Sequence, residues 1–561
     1  MEHDAEINQR ARLRPITEIA DALGLGADDI EPYGRYMAKV SMSAVRRAAA
    51  GRRGRLLYTT AITATPAGEG KTTVAIGLTQ ALGRMGLKAA VCLREPSLGP
   101  TFGVKGGATG GGLSQIAPMV DINLHFTGDL HAVASAHNLL AAAVDNHIHQ
   151  GNELGIDPKR VLWRRVMDIN DRQLRHIVVG LGAPGDGVVR ETGFDITAAS
   201  EVMAILCLSH DMDDLKARLG RILVGEGRPG TGRKAPWIFA HQIGVIGAMA
   251  VLLRDAIKPN LVQTLEGQPA FVHGGPFANI AHGNNSILAT QTALGLADFV
   301  VTEGGFAADL GAEKFLDIVV PQTGLVPDVV VLVATVRALH YHGGASRSTL
   351  HAYDPEALRR GFANLDHHIR TLQRFGLPVV VAVNRFDSDD PRELEAVVAH
   401  CQEMGVRAAV ADVVARGGEG GVELAETVLA TLERERPSFR PAYEWEMPLT
   451  EKLERLATQV YGADGVDLSS RARAELEALE ERGFGGLPLC VAKTQFSISD
   501  DASRRGAPTG WRLQVREVRP SLGAGFVVAL TGDVMTMPGL PKEPAALRID
   551  VDQEGFVTGL S

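Results

Sequence analysis

A glycine-rich turn with a lysine and several threonines is the stretch whose residue types and spacing best fit a chemical role. It reads Thr65-Pro66-Ala67-Gly68-Glu69-Gly70-Lys71-Thr72-Thr73. Glycines let backbone N–H groups approach an anion, and the N-terminus of a following helix adds partial positive charge. The lysine can reach the β- and γ-phosphates of a nucleotide, and the Thr72 hydroxyl can ligate Mg²⁺. The stretch therefore predicts phosphate binding.

The turn departs from the usual phosphate-loop spacing at one position. Thr65 stands where the pattern Gly-x4-Gly-Lys-Thr has its first glycine, and Pro66 holds Thr65 extended. The alternative is an ordinary glycine-rich turn that opens a helix. Because Gly68, Gly70 and the Lys-Thr pair are in register after a strand, phosphate binding is the favoured interpretation.

The elements around this turn indicate an α/β fold. An apolar run at residues 56–63 precedes it, a helical pattern follows it, and a second apolar run spans residues 89–93, which together make a βαβ unit. The β-branched runs at residues 329–335 and 378–383 are typical of buried parallel strands. We expect a P-loop NTPase-like, mostly parallel sheet core with two further α/β domains.

The length of the chain predicts several domains. With 561 residues, 45% of them hydrophobic and 22% charged, the chain has an ordinary globular composition but exceeds what one core supports. We expect a nucleotide-binding domain at residues 1–155 plus 326–435. A second α/β domain is expected at residues 156–325, and a C-terminal α/β domain at residues 436–561.

Composition excludes several classes of function. The net charge is −9 and no basic block dominates, which argues against a nucleic-acid partner. The N-terminal residues lack the apolar core of a signal peptide, and the longest apolar run, residues 244–253, is too short to span a bilayer. The scattered cysteines predict reduced thiols in a cytoplasmic protein. They are Cys92, Cys207, Cys401 and Cys490.

Other polar segments are expected at strand ends, where ligands bind in α/β sheets. They are residues 94–100, the histidine- and glycine-rich residues 273–283, residues 302–306 and residues 384–387. For residues 273–283 the competing interpretation is that the histidines are structural. The Asn384-Arg385-Phe386-Asp387 segment superficially resembles the guanine-reading motif of GTPases. Residues 121–129 carry many polar groups on a short strand-like frame.

Taken in order, a set of these segments resembles the formate–tetrahydrofolate ligase family over nearly the whole chain. The segments are residues 65–73, 93–100, 123–129, 271–283, 334–339 and 531–541. No single segment is specific, but the set is. In this family the threonine at position 65 is part of the pattern.

The resemblance implies an enzyme that converts ATP, formate and tetrahydrofolate into 10-formyltetrahydrofolate, ADP and phosphate through formyl phosphate. Residues 65–73 would hold the phosphates of ATP with Mg²⁺ near Thr72, and Lys71 and Arg94 would be catalytic. The alternative for Arg94 is a structural salt bridge to Glu95 or Asp129. The resemblance also implies activation by potassium or ammonium, with Glu95 and Asp129 as candidate ligands, and a homotetramer.

The folate site departs from the family pattern. In the family the pterin lies between two aromatic rings, of which the first matches Phe386 and the second is a tryptophan. The second position here is Val414. Because valine cannot stack on a ring, we expect weaker folate binding or a pocket that another residue completes.

Two other functions compete with this one. The first is a P-loop ATPase or GTPase switch protein, which would leave the glycine-rich loops after Arg94 and around His273 without a role. The second is an ATP-dependent ligase for a different carboxylate and amine, which Val414 leaves open. ATP turnover that requires both formate and tetrahydrofolate separates them.

Overall fold

A computed structural model describes residues 4–51, 53–66, 68–103, 109–229, 234–532 and 534–560, and shows a mixed α/β protein of several domains. Ala67, part of the predicted phosphate-binding turn, lies outside the described residues. The strands are β1 Ile30–Pro32, β2 Ala38–Val40, β3 Arg55–Ala61, β4 Ala89–Leu93, β5 Gly110–Gly111, β6 Ser114–Ala117, β7 Ile156–Val161, β8 Arg165–Met167, β9 Ile177–Val179, β10 Arg190–Thr192, β11 Phe194–Ile196, β12 Leu223–Gly227, β13 Trp237–Phe239, β14 Asn260–Thr264, β15 Pro269–Val272, β16 Phe299–Glu303, β17 Val329–Ala334, β18 Val379–Asn384, β19 Arg407–Ala411, β20 Val466–Leu468, β21 Leu489–Ala492, β22 Leu513–Val515, β23 Glu517–Ser521, β24 Phe526–Leu530, β25 Asp550–Val551 and β26 Val557–Thr558.

The α-helices are α1 Asp4–Arg10, α2 Ile16–Leu23, α3 Met42–Ala49, α4 Lys71–Arg84, α5 Leu98–Phe102, α6 Met119–Asn123, α7 Asp129–His149, α8 Glu201–Leu208, α9 Met212–Gly220, α10 Ala240–Ile243, α11 Ile246–Leu253, α12 Ile287–Leu296, α13 Val320–Thr323, α14 Val336–His342, α15 Pro355–Arg374, α16 Pro391–Glu403, α17 Val413–Arg416, α18 Val422–Arg434, α19 Leu449–Arg455 and α20 Ser470–Glu481. π-Helical turns span Ala308–Ala312, Phe315–Val319 and Leu456–Val460. Short 3₁₀ turns span Ala27–Asp29, Arg172–Arg175, Pro184–Asp186, Thr197–Ala199, Glu419–Gly421 and Ala545–Leu547.

One large sheet organises the molecule. Its strand order is β1-β2-β14-β15-β4-β16-β3-β17-β18-β19, with β5 and β6 attached beside β14. From β15 to β19 every neighbouring pair is parallel, whereas β1, β2 and β14 run antiparallel to their neighbours. The expected α/β class with a large, mostly parallel sheet is confirmed. The carboxyl ends of the parallel strands share one edge, where the polar loops gather.

Apolar side chains point to both faces of the central strands, which explains why helices cover both faces of the sheet. In β17, Val330 and Leu332 pack into one apolar cluster with α15 residues, whereas Val329 and Val331 pack into another with residues of α4 and α18. All residues of β17 and β18 are buried. A strand that is apolar on both faces suits a parallel sheet with helices on each side.

The remaining strands form smaller sheets. β7, β12 and β13 pair together, and β9 pairs with β10, in the segment between α7 and β14. In the C-terminal segment β21, β24 and β23 form one sheet and β20 pairs with β22. β14, β15 and β16 belong to the large sheet, so the segment expected as a second domain shares its later strands with the first.

The strand-like interpretation of residues 121–129 is wrong. α6 ends at Asn123, Phe126 has φ 44° and Gly128 has φ 90°, so the segment is a tight turn between two helices. Left-handed backbone of this kind cannot continue a strand ladder. Separately, among the described residues no helix has the length and apolar character needed to cross a membrane.

Candidate active site

The glycine-rich turn lies between the central strand β3 and helix α4, as expected. Gly70 has φ 73°, and a Cβ there would lie 2.4 Å from Nδ2 of Asn384, so only glycine fits. The side chain of Glu69 folds back into the turn, where Oε1 accepts the N–H of Thr65 at 2.6 Å. Nδ2 of Asn384 donates to the Glu69 carbonyl at 3.0 Å. The turn is thus fixed by the bond between Glu69 and Thr65 within it and by the bond from Asn384 at the end of β18.

The end of β3 is anchored by buried side chains at Thr63. The Thr63 N–H donates to Oδ1 of Asn364 at 3.2 Å, and the Thr63 carbonyl bonds Nε2 of His342 at 2.9 Å. Its hydroxyl bonds Nε2 of His368 at 2.9 Å. Burial lowers the pKa of His342 to about 4 and that of His368 to about 3, so both rings are neutral at pH 7. The anchor is therefore uncharged and fully hydrogen-bonded at Thr63.

Helix α4 begins at Lys71 and presents Thr72 to Glu303. The Thr72 hydroxyl donates to Oε2 of Glu303 at 2.8 Å, and Glu303 is the last residue of β16, the neighbour of β3. Burial lowers the pKa of Lys71, while the carboxylates of Glu69 and Glu303 act in the opposite direction. A hydroxyl and a carboxylate side by side are the ligands that Mg²⁺ uses beside nucleotide phosphates, so this pair fits the ion.

Arg94 follows β4 and reaches the same end of the sheet. Its Nη1 donates to the carbonyl of Pro276 at 3.2 Å, and its guanidinium lies so close to Gly305 that a Cβ there would be 3.1 Å from Nη1. Nε is buried without a hydrogen-bond partner among the described residues. A buried donor of this kind needs an acceptor from a ligand or water. In the described part of the chain Arg94 makes no ion pair with Glu95 or Asp129, so those salt bridges do not account for it.

The two histidines of residues 273–283 differ in their surroundings. Both ring nitrogens of His273 are hydrogen-bonded, one to Oγ of Ser286 and one to the carbonyl of Ala256, each at 2.6 Å. That ring has a structural role. His282 is fully buried, and burial next to Arg94, Arg218 and Lys314 lowers its pKa to about 3.

Asp129 and Glu95, the candidate cation ligands, lie near each other but differ in their partners. Nζ of Lys39 lies 2.8 and 3.0 Å from the two Asp129 oxygens, and Nδ2 of Asn260 donates to Oδ2 at 2.8 Å. Burial and the Asp129 carboxylate raise the pKa of Glu95 well above its usual range, against the opposing effect of Lys39. Oε2 of Glu95 has no hydrogen-bond partner among the described residues. Lys39 lies far from Asp129 along the chain, and no pattern around it predicts this contact.

Phe386 and Val414, the predicted folate residues, follow the adjacent strands β18 and β19. Because Asn384 pairs with Ala411, both residues emerge at the same edge of the sheet. The carbonyl of Val414 accepts the N–H of Leu113 at 2.9 Å, which ties this loop to the β5–β6 hairpin. The guanidinium carbon of Arg337 lies 3.5 Å from the centroid of the Phe386 ring.

The structure therefore brings the predicted residues to one edge, together with Glu303 and Arg337, two residues to which the sequence analysis assigned no role of their own. Lys71, Thr72 and Arg94 lie around Glu303, and Phe386 and Val414 lie farther along the same edge. Glu303 is detectable in the sequence as an acidic residue that ends an apolar run before two glycines. Arg337 carries no such signal, because a single arginine in the first turn of a helix is usually solvated.

Comparisons with known proteins identify the family of the chain. A family model described as formate–tetrahydrofolate ligase matches residues 2–561. The formate–tetrahydrofolate ligase of Symbiobacterium thermophilum is 58% identical over 558 residues, covering 99% of each chain. The chain belongs to the formate–tetrahydrofolate ligase family. It is an enzyme, an ATP-dependent ligase that joins formate to tetrahydrofolate. The expected family is confirmed, and the switch protein is excluded.

Proposed function

We propose that ligation proceeds through formyl phosphate at the end of β3, β4 and β16. A formate oxygen attacks the γ-phosphorus, the bond to ADP breaks, and formyl phosphate forms. N10 of tetrahydrofolate then attacks the formyl carbon, the bond to phosphate breaks, and N10 loses its proton. The observation that carries the proposal is the convergence of Lys71, Thr72 and Arg94 around Glu303.

Each group has a distinct role in this proposal. Lys71 and the amides of residues 65–73 would neutralise the phosphates, which is most of what phosphoryl transfer asks of a protein. Thr72 and Glu303 would hold Mg²⁺, which supplies further charge neutralisation when bound. Arg94 would hold the phosphoryl end of formyl phosphate in a fork of N–H donors. Its buried, unpartnered Nε supports this role.

We also propose that the core belongs to the P-loop NTPase class. The turn-bearing strand β3 lies between β16 and β17 in the order β4-β16-β3-β17-β18. The hydroxyl–carboxylate pair between α4 and the end of β16 supports the same assignment. We propose domain boundaries at about residues 155, 325 and 435. Strands β14, β15 and β16 belong to the large sheet and therefore connect the first two parts.

The cation, assembly and location are proposals that rest on the family resemblance. We propose that potassium or ammonium binds at Glu95, whose Oε2 has no other partner among the described residues. Asp129 would share such an ion with the Lys39 ammonium, which already bonds its oxygens. We propose a cytoplasmic homotetramer. The four cysteines are free and buried, which fits a reducing compartment.

Substitution of Lys71 by alanine tests the phosphate site. With ATP, formate, tetrahydrofolate, Mg²⁺ and potassium, the wild type should produce 10-formyltetrahydrofolate and should release ADP only when formate is present. Lys71→Ala should lower turnover by orders of magnitude, because the positive charge at the phosphates is lost. Lys88→Ala, an exposed lysine beyond α4, is the matched control. Near-normal turnover in a folded Lys71→Ala enzyme would remove this turn from the mechanism.

A further inference from the structure

One face of the Phe386 ring is already covered by the protein. The guanidinium carbon of Arg337 lies 3.5 Å from the ring centroid. At that distance the planar guanidinium is in contact with the ring face, which is a favourable arrangement for arginine on an aromatic ring. A flat ligand can therefore use only the opposite face of Phe386 while Arg337 stays in place.

The order of the strands places Arg337 and Val414 on opposite sides of Phe386. Arg337 lies in the first turn of α14 directly after β17, where Thr335 caps the helix by accepting the N–H of Ala338 at 3.0 Å. Phe386 follows β18, and Val414 follows β19. β17, β18 and β19 are consecutive and parallel. Arg337 is therefore on the β17 side of Phe386, and Val414 is on the β19 side.

Arg337 and Phe386 are linked through Asp389 as well. Oδ2 of Asp389 accepts the N–H of Phe386 at 2.8 Å. The carboxylates of Asp389 and Glu69 both favour the charged form of Arg337, whose pKa burial lowers. Nε of Arg337 is buried without a hydrogen-bond partner among the described residues. The guanidinium is thus held over the ring mainly by stacking and by charge.

We infer that Arg337 is a positioning residue for tetrahydrofolate: it backs the Phe386 ring and leaves one face, on the side of Val414, for the pterin. The inference rests on the proposed folate site at Phe386. A ring that is held in place before the ligand arrives costs less ordering on binding. Holding the Phe386 ring in place matters more here than in a pocket with two aromatic rings, because Val414 cannot stack on the second face of the pterin.

A double-mutant cycle with Phe386 tests the inference. Arg337→Met keeps an unbranched, flexible stem of similar length and removes the charged, planar guanidinium. We expect it to raise the KM and the dissociation constant for tetrahydrofolate about 2- to 10-fold, the cost of ordering one side chain on binding, and to leave the KM for ATP unchanged. Arg337→Lys should recover part of the loss, since it keeps the charge. In a Phe386→Leu background, Arg337→Met should have no further effect.

Several outcomes would overturn this role, and they differ from a failure of the folate site itself. If Phe386→Leu leaves tetrahydrofolate binding unchanged, the folate site is misplaced. If Phe386→Leu weakens binding but Arg337→Met and Arg337→Lys do not, Arg337 has no positioning role. An Arg337→Met effect that persists in the Phe386→Leu background, or that raises the KM for ATP equally, would also contradict it. Arg370→Met, on the exposed face of α15, is the control for the substitution.

Discussion

At the scale of single residues, Thr65 shows how the proposed phosphate-binding turn holds its backbone without a glycine at the first position. The N–H of Thr65 bonds the carboxylate of Glu69 within the turn, so the backbone is fixed there by a side chain. The glycine that sterics demand is Gly70, where Asn384 leaves no room for a Cβ. The turn is therefore fixed by Glu69 at Thr65 and by Asn384, at the end of β18, at Gly70.

Val414→Trp tests the other departure from the family pattern. A tryptophan at this half-buried position could stack on the pterin and should tighten tetrahydrofolate binding by about 0.5–1.5 kcal/mol, or ~2- to 10-fold. The dissociation constant measured by equilibrium dialysis checks this. Val414→Leu adds apolar area without a ring and is the control. If the Val414→Trp enzyme binds tetrahydrofolate no more tightly than the Val414→Leu enzyme does, the absence of a second stacking ring does not weaken binding in this pocket.

Some candidate site residues could be nominated before the fold was known. Local spacing in the glycine-rich turn suggested Lys71 and Thr72, and the family resemblance suggested Arg94. Glu303, Lys39 and Arg337 act through contacts with residues far along the chain, such as the bond from Thr72 to Glu303. Such pairings depend on which strands are neighbours, and the strand order cannot be read from one chain's periodicity.

At the scale of elements, the buried strands were predictable and their partners were not. β17 and β18 are long β-branched runs, and their expected bounds agree with the structure to within a residue or so. β14 and β15 form an antiparallel pair that extends the sheet, although residues 156–325 were expected to fold apart. Short strands flanked by turns carry little periodic signal, so their place in a sheet is set by tertiary contacts.

Helix α8 is joined to the β23–β24 turn by a carboxyl group that provides a pH-dependent test. Oε1 of Glu201 accepts the N–H groups of Gly523 and Ala524 at 2.7 and 3.1 Å. Burial raises the pKa of Glu201 to about 7 in the folded protein. The unfolded chain releases this proton at a lower pH, near 4.3, so the contribution to stability is present below that pH and is lost as pH rises toward 7.

We therefore expect Glu201→Gln, which mimics the protonated form, to gain thermal stability relative to the wild type as pH rises from about 5 to 8. Thermal unfolding midpoints at a series of pH values measure the difference. Glu477→Gln, on the exposed side of α20, should show no such trend. A constant offset between the Glu201→Gln and wild-type midpoints across this range would mean that the carboxyl is ionised in the folded protein.

At the scale of the whole molecule, a buried ion pair connects the C-terminal segment to the large sheet. Nζ of Lys493, just after β21, lies 2.6 Å from Oδ2 of Asp309, in the π-helical turn that follows β16, and both side chains are buried. Lys493 also donates to the carbonyl of Ser497 at 2.7 Å. The pair therefore links a C-terminal strand to the segment that follows Glu303. Its loss should destabilise both parts of the molecule.

Removing one partner leaves the other charge buried and uncompensated, so Lys493→Met and Asp309→Asn should each lower the free energy of unfolding by about 3–5 kcal/mol. The double variant should lose less than the sum, because no unpaired charge remains. Urea unfolding followed by far-UV circular dichroism and tryptophan fluorescence measures each value. The exposed pair of Lys234 and Glu481 is the control, since breaking it should cost about 0–1 kcal/mol. Additive losses, or losses no larger than this control, would show that the buried pair does not couple the two segments.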